Sequence, residues 1–216
     1  MDIKTGGEEV LTRRERERAA HRQEIMNAAI RVFAKRGFGG ATLDEVAQEA
    51  EFSKGALYLY FTSKEDILYN TLYSMSVTII GAFMSTLSGT KSFREELRDL
   101  LIGTAEFSFK NHDYMKVVMA QHVEGFIVLS EESRQKITGL HNEVISTLRD
   151  RTRKAYEDNE LRNLPIEAIS SMIHGSIDSM AIMRWNLESL DQAQGAVDVY
   201  LDILFNGIAK EKEKHA

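Results

Sequence analysis

One short segment of the chain concentrates side chains that can bind nucleic acid. Lys54 can reach a phosphate or a guanine edge, and Tyr58 and Tyr60 can donate hydrogen bonds to phosphate oxygens. Small residues beside Lys54 would let the backbone approach the groove, although both tyrosines could instead be ordinary surface aromatics. The residues that we expect on the DNA side of this segment are Ser53, Lys54, Gly55, Ala56, Tyr58, Leu59, Tyr60 and Lys64.

A second candidate DNA contact is a basic patch that precedes this segment. The whole chain has a formal net charge of −6, but the stretch from Arg13 to Arg36 holds eight lysines and arginines against three glutamates. Because DNA phosphates attract such a local positive charge, we expect Arg14 and Arg18 to contact the duplex backbone. The alternative is a solvated helix end in which Glu15 and Glu17 pair with these arginines.

The surrounding residues predict the helices that would position these side chains. Apolar residues recur at helical spacing before the segment, which indicates a first helix. Thr42 and Glu45 form a capping-box pattern that opens a second helix, and Ser53 can cap a third helix that continues to Phe61. Two short helices joined by so tight a turn are typical of a helix-turn-helix, in which Leu57 and Phe61 would face inward.

Residues 37–65 resemble the DNA-binding signature of the TetR family of transcriptional regulators. The positions in family register include Thr42, Val46-Ala47, Ser53-Lys54-Gly55, Leu57-Tyr58, Tyr60-Phe61 and Lys64-Glu65. The resemblance covers about residues 15–70, and it implies that Thr42 joins the phosphate contacts. The sequence departs from the family at Glu51, where glycine is usual. A residue with a Cβ adopts a positive φ only at a cost, so the turn is expected to differ slightly from that of the family.

The composition predicts an all-α protein. A single proline, fourteen glycines and long runs of helix-forming residues leave few interruptions, and 43% hydrophobic residues are enough for a sizeable core. We predict about nine helices in total. A flexible tail (1–14) precedes a three-helix DNA-binding domain (15–63) and a larger helical bundle (64–216) for ligand binding and dimerisation. Beyond residue 63 the predicted helices are 64–87, 92–110, 113–128, 131–158, 165–187 and 191–212.

The larger domain is predicted to hold an apolar cavity for a small molecule. Helical bundles bind ligands between their helices, and the resemblance implies that filling such a cavity alters DNA affinity. His174 and Asp178 are four residues apart among apolar neighbours, which makes them candidate polar anchors. Every residue of the set could instead be ordinary core. The predicted cavity residues are Phe83, Phe107, Met115, Met119, His122, Phe126, His174 and Asp178.

The last two predicted helices carry apolar positions on more than one face. A single chain could bury these positions internally, but broad apolar faces near the chain end also suit an isologous four-helix contact between two copies. The resemblance to the TetR family points to the same pair of helices. The predicted interface residues are Ile169, Ile173, Ile177, Met180, Val197, Leu201, Leu204 and Phe205.

Several classes of function are disfavoured by the residues present. The chain contains no cysteine, so disulfides, zinc–thiolate sites and thiol catalysis are unavailable. It has no nucleophile elbow, dinucleotide loop or suitably spaced set of metal ligands, and we therefore predict no catalytic residue, metal or cofactor. The N-terminus lacks a signal-peptide pattern and the apolar stretches are short and interrupted, which favours the cytoplasm and no membrane partner.

These features together predict a homodimeric transcriptional regulator that responds to a ligand. Two copies of the third helix would enter successive major grooves of a near-palindromic operator in double-stranded DNA. A small, largely apolar effector would then release a repressor from the DNA, because it prefers one separation of the two reading helices. The alternative is a helical small-molecule or lipid-binding protein that does not read DNA.

Overall fold

The computed structural model describes residues 12–123, 128–162, 164–182 and 187–206, which form nine helices and contain no strand. This architecture confirms the all-α prediction. The chain divides into two compact units, residues 1–71 and 72–216, whereas the sequence placed the boundary at residue 64. The helices are α1 (Arg13–Arg36), α2 (Leu43–Glu49), α3 (Lys54–Leu57), α4 (Lys64–Thr86), α5 (Phe93–Lys110), α6 (His112–Val123), α7 (Glu131–Glu157), α8 (Ile166–Ile182) and α9 (Leu190–Asn206).

The first unit is built on α1, against which α2 packs, and α3 packs against α2. One face of α1 is apolar at helical spacing and is buried, as the residue pattern predicts. Gly37 ends the helix with a φ of 72°, and its amide donates to the carbonyl of Phe33 at 2.9 Å. Because this conformation is unfavourable for a residue with a Cβ, glycine suits the position.

The third helix is shorter than predicted. α3 ends at Leu57, and residues 58–60 form a turn in which the amides of Leu59 and Tyr60 donate to carbonyls three residues back, at 3.1 and 2.9 Å. The prediction of a helix as far as Phe61 was therefore wrong over its last turn. This tightening is typical of a helix end, and Leu57 and Phe61 are both buried, as expected for the inward face.

The core of the second unit is centred on α5, which packs against α8 and α9, while α7 packs against α8. Apolar side chains at helical spacing on these four helices form one cluster of buried residues. Such burial is the main favourable term in holding the helices together. The cluster consists of Phe93, Leu97, Leu100, Leu101, Leu148, Ala155, Ile169, Ile173, Ile177, Met180, Val197 and Leu201.

Six of the eight predicted dimer residues belong to this internal cluster. Ile169, Ile173, Ile177, Met180, Val197 and Leu201 are buried within the chain itself, and Leu204 and Phe205 pack against the same cluster half-buried. The cause is that one apolar face of each helix turns toward α5. Among the described side chains of α8 and α9, the large apolar ones that are exposed are Met172, Val199 and Ile203.

One ion pair is buried in the second unit. The Arg151 Nε lies 2.6 Å from Glu96 Oε2, and the Glu96 side chain is fully buried. Glu96 also accepts a hydrogen bond from the amide of Gly89, which ties the loop after α4 to α5. The Arg151 guanidinium further lies 5.0 Å from the centre of the Phe93 ring. Because a buried charge is costly without a partner, each member of the pair depends on the other.

Among the described residues, α4 is the one helix that is long and apolar enough to cross a membrane, judged by length and composition alone. Core helices pass the same test, although only 22% of the most apolar window of α4 is buried within the chain. α4 begins with charged residues at Lys64, Glu65 and Asp66, and its second half lines the cavity described below.

Candidate DNA-binding surface and effector cavity

The capping box predicted at the start of α2 is present. The Thr42 Oγ1 accepts a hydrogen bond from the Glu45 amide at 3.2 Å, and the Glu45 carboxylate accepts one from the Thr42 amide at 3.0 Å. The hydrogen bond from the Thr42 backbone holds the pKa of Glu45 below its ordinary value. The amide and the hydroxyl group of Thr42 therefore both form hydrogen bonds with Glu45. The Thr42 side chain is exposed and lies at the edge of the predicted DNA surface.

The turn between α2 and α3 has a strained backbone at Glu51, the position at which the sequence departs from the family. Glu51 has a φ of 60°, in the region that favours glycine. The turn is closed by hydrogen bonds from the Glu51 amide to the Gln48 carbonyl at 3.2 Å and from the Phe52 amide to the Ala47 carbonyl at 2.9 Å. These bonds let the chain reverse tightly between two helices despite the unfavourable residue type.

The exposed face after this turn carries several of the predicted DNA-contact residues. Ser53 caps α3 by accepting from the Ala56 amide at 3.1 Å, while Gly55 is exposed and Ala56 is half-buried. Tyr58 and Leu59 are 52% and 72% exposed, which is high for side chains of this size. An exposed aromatic and an exposed leucine beside a glycine form a surface suited to a groove.

Lys54 is exposed but has an anionic partner on α2. Its Nζ lies 2.8 Å from Asp44 Oδ2, and this hydrogen bond raises the pKa of Lys54 above its ordinary value. Lys54 therefore stays protonated, as phosphate contact requires. Because the pair is exposed, solvent weakens it, and a phosphate or guanine edge can replace the carboxylate.

Tyr60 has a different environment from the predicted one. Its hydroxyl lies 2.9 Å from His21 Nδ1, and its ring makes edge contacts with His21 and Phe52. The Tyr60 carbonyl accepts a hydrogen bond from Arg22 Nη1 at 2.6 Å. Both ends of the residue thus hold the α3 segment against α1, so its hydroxyl is not directed to solvent alone.

Lys64 likewise makes internal contacts. Its Nζ donates to the carbonyls of Phe38 and Ala41 at 2.7 and 2.8 Å, and it lies 4.4 Å from the centre of the Phe38 ring. The ammonium group therefore satisfies two carbonyls of the loop between α1 and α2. The clamp on the DNA backbone that the sequence predicts at this position stays a prediction, and in the structure the ammonium group contacts that loop.

Sequence reasoning missed the network around Arg22. The guanidinium of Arg22 lies 4.3 Å from the centre of the Phe61 ring, and its Nη2 donates to Asn70 Oδ1 at 2.9 Å. Asn70 in turn donates to Asp66 Oδ1 at 2.7 Å. The residue types are ordinary for solvated helix faces, and no local pattern connects positions so far apart in the chain.

Arg14 and Arg18 are exposed near the start of α1. The alternative reading paired them with Glu15 and Glu17, but Glu15 accepts from Thr12 in a capping box and Glu17 pairs with Arg13 at 2.7 Å. Among the residues that the structure describes, neither Arg14 nor Arg18 forms an ion pair. Their positive charge remains uncompensated at this end of the first unit, as a phosphate contact requires.

The second unit contains a cavity of about 340 Å³ that is lined by parts of five helices. This size is within the range of small-molecule sites. The hydroxyl groups of Thr104 and Tyr114 donate to the carbonyls of Leu100 and Leu72, so they do not make the lining strongly polar. Burial raises the pKa of Tyr114 to about 12. The large apolar side chains of the lining include Leu72, Ile79, Ile80, Phe83, Phe107 and Met115.

Five of the predicted cavity residues line this space: Phe83, Phe107, Met115, His174 and Asp178. Met119 is half-buried on α6 but is not part of the lining. Phe126 and the side chain of His122 lie outside the described residues. His141 of α7 was not predicted, although it lines the cavity, because one exposed histidine on a charged helix carries no distinctive pattern.

The first unit matches a known family of proteins. Residues 25–69 match the family model described as bacterial regulatory proteins, tetR family. The chain is 25% identical over 174 residues to the Transposon Tn10 TetC protein of Escherichia coli, covering 80% of this chain and 84% of that protein. It is also 25% identical over 192 residues to the fatty acid metabolism regulator protein of Bacillus subtilis, covering 86% and 94%. Residues 25–69 therefore carry the DNA-binding region of the TetR family, and the relatives support a TetR-family regulator.

Solved structures share the whole fold. The fatty acid degradation regulator FadR of Bacillus halodurans has a TM-score of 0.73 at 21% identity, covering 88% of this chain and 97% of that chain. FadR of Bacillus subtilis, solved in complex with stearoyl-CoA, has a TM-score of 0.69 at 22% identity, covering 87% and 99%. The family match and the fold confirm the prediction of a DNA-binding transcriptional regulator.

Proposed function

We propose that the protein is a repressor that binds a near-palindromic operator as a homodimer and is released when an elongated, mainly apolar effector fills the cavity. The observation that carries this proposal is the coexistence of two sites of different chemistry in one chain. The exposed surface at Lys54, Tyr58 and Leu59 suits a DNA groove, and the cavity between the helices of the second unit suits an apolar molecule.

The effector class is supported by the cavity and by relatives. The lining of the cavity consists mainly of aliphatic and aromatic side chains, which favour an effector with an apolar body. The relative from Bacillus subtilis is named a fatty acid metabolism regulator, and a neighbouring structure holds stearoyl-CoA. We therefore propose an acyl chain or a molecule of similar shape as the body of the effector.

The link between the two sites is proposed to be α4. The helix begins at Lys64, whose Nζ holds the loop between α1 and α2, and the same helix contributes Leu72, Ile79, Ile80 and Phe83 to the cavity. A ligand that displaces these side chains thus acts on a helix that continues into the DNA-binding unit. Because an effector works through its preference for one state, the ligand-bound position of α4 must suit the operator less well.

Dimerisation is proposed to use the exposed side of α8 and α9. Met172, Val199 and Ile203 leave large apolar side chains in solvent, with Met172 62% exposed, on the two helices that the sequence predicted for this contact. A two-fold contact between such faces would bury them and set the separation of the two DNA-binding units. As a regulator of chromosomal DNA, the protein is proposed to act in the cytoplasm.

The test compares two lysines that form similar exposed ion pairs. An operator is first selected from random duplex DNA with the full-length protein, and its binding is measured by fluorescence anisotropy at several salt concentrations. Lys54→Gln is expected to weaken binding about tenfold and to reduce the slope of log K against log salt by about one. Lys91→Gln, which removes a lysine paired with Asp99 at 2.6 Å in the second unit, is expected to change neither quantity.

Absence of saturable operator binding, or equal behaviour of the two variants, would contradict the proposed DNA site. The former result would favour a helical ligand-binding protein that does not read DNA. Release of the operator is then measured while decanoate is titrated into the complex. Binding of the fatty acid without any change in operator affinity would contradict the proposed regulation.

A further inference from the structure

The mouth of the cavity carries three polar side chains that the apolar body of an effector does not use. His141 on α7 and His174 and Asp178 on α8 all belong to the lining. The rings of the two histidines meet edge to face, with centroids 4.7 Å apart and an interplanar angle of 82°. The imidazoles of two different helices are therefore brought together at one place in the cavity wall.

The polar group is placed on the solvent side of the cavity. The Asp178 side chain is 66% exposed, that of His174 is 20% exposed, and the adjacent Ile177 is buried. His141 is also exposed. Exposure therefore decreases from this rim toward the apolar interior, so an amphipathic molecule would enter with its body inward and leave its polar head at the rim.

Asp178 lies beside one nitrogen of the His174 ring. The distance from His174 Nδ1 to Asp178 Oδ2 is 3.8 Å, which is too long for a hydrogen bond, so the carboxylate does not fix the tautomer of the ring. Because Asp178 lies beside Nδ1, the opposite nitrogen, Nε2, is the atom of this ring available to a ligand. An imidazole can donate a hydrogen bond from that nitrogen, either as a neutral tautomer or when protonated.

We propose that His141 and His174 form a recognition site for the free carboxylate head of the effector. This inference rests on the proposed function and specifies the ligand class. Two imidazoles that lie against each other in the cavity wall can offer donors to the oxygens of one carboxylate, and hydrogen bonds to a charged acceptor are stronger than those to a neutral one. The effector is accordingly a fatty acid with a free carboxylate, in contrast to the acyl thioester held by a relative.

The experiment separates recognition of the head from recognition of the body. Isothermal titration calorimetry on the full-length protein measures the affinity for decanoate, decanol and decanoyl-CoA, which share a saturated hydrocarbon chain. The wild-type protein is expected to bind decanoate most tightly. His174→Gln and His141→Gln are each expected to weaken decanoate binding about tenfold and to change decanol binding less than twofold. His112→Gln, which removes an exposed imidazole outside the cavity lining, is the matched control.

Three results would overturn the inference: no binding of decanoate, tighter binding of decanoyl-CoA or decanol, or equal losses of decanoate and decanol affinity in the His174 variant. Thermal unfolding without ligand shows whether each variant is folded, so that a general structural defect is recognised. Operator binding without ligand is measured in parallel. The proposed DNA-binding function fails if the operator is not bound, whereas the carboxylate site fails if operator binding persists but the decanoate preference does not depend on the histidines.

Discussion

The two units of the chain stabilise their helices in different ways. In the first unit, α2 and α3 have seven and four residues, and polar contacts to backbone carbonyls supplement the small core: Lys64 binds two carbonyls, and Arg22 binds the carbonyl of Tyr60. In the second unit, α5 and α7 have 18 and 27 residues and bury a large apolar cluster. Short helices bury too little surface to be stable by packing alone, whereas long helices can be stable and still leave a cavity.

This difference bears on function. In the first unit, Tyr60 and Lys64 are of residue types that bind DNA, but both make contacts within the unit. The exposed part of the predicted DNA surface then consists of fewer side chains. The second unit places its buried polar interactions near Glu96 and Arg151 and keeps the cavity wall mainly apolar. Polar contacts between helices and loops therefore surround the exposed surface of the first unit, and the second unit has space for a ligand.

The largest expected effect is the loss of the buried ion pair in the second unit. Arg151→Ala leaves the Glu96 carboxylate buried without its partner, and we expect the free energy of unfolding to fall by roughly 3–5 kcal/mol. Arg98→Ala removes an exposed arginine that pairs with Asp198 at 2.8 Å, and it should lower the free energy of unfolding by about 0–1 kcal/mol. Urea unfolding of both variants measures the difference.

A double variant checks the cause of that loss. Arg151→Met combined with Glu96→Leu removes both charges, so most of the stability lost in Arg151→Ala should return. If the two single arginine variants lose the same stability, or if the double variant is no more stable than Arg151→Ala, burial of the pair is not the reason for the effect.

A smaller effect distinguishes two tyrosines of the first unit. Tyr60→Phe removes the hydroxyl that contacts His21 at 2.9 Å, so we expect a loss of about 1 kcal/mol in the free energy of unfolding and less than a twofold change in operator affinity. Tyr58→Phe, at an exposed position, should leave stability unchanged and weaken operator binding about fivefold. Chemical unfolding and anisotropy on the same samples test both, and the assignment is refuted if the two variants exchange behaviour.

The smallest expected effect concerns backbone strain in each unit. Glu51→Gly should raise the free energy of unfolding by about 0.5 kcal/mol, because glycine adopts the observed φ of 60° without a Cβ clash but loses more backbone entropy on folding. Asn159→Gly is the matched control, since Asn159 has the same φ but asparagine tolerates this conformation. Equal gains from the two substitutions would show that residue type does not determine the strain at the turn between α2 and α3.

Much of the first unit could be predicted because its signals are local. The capping box of Thr42 and Glu45, the cap at Ser53 and the positive φ at Glu51 each involve residues a few positions apart, and the structure contains all three. The end of α3 was predicted incorrectly because the tight turn after Leu57 has the same residue types as a helix. The roles of Tyr60 and Lys64 could not be predicted, since their partners lie 39 and 26 positions away along the chain.

Short stretches of sequence were enough to predict an all-α protein, its caps and turns, and its resemblance to TetR regulators, because helix periodicity, capping and a family signature depend on residues close together in the chain. Which apolar face of α8 and α9 is internal, and that His141 meets His174 at the cavity, became visible in the folded chain. An amphipathic pattern specifies that a face is buried without naming its partner. The partner is chosen by long-range packing, in which α5 covers Ile173 and Val197 and leaves Met172 exposed.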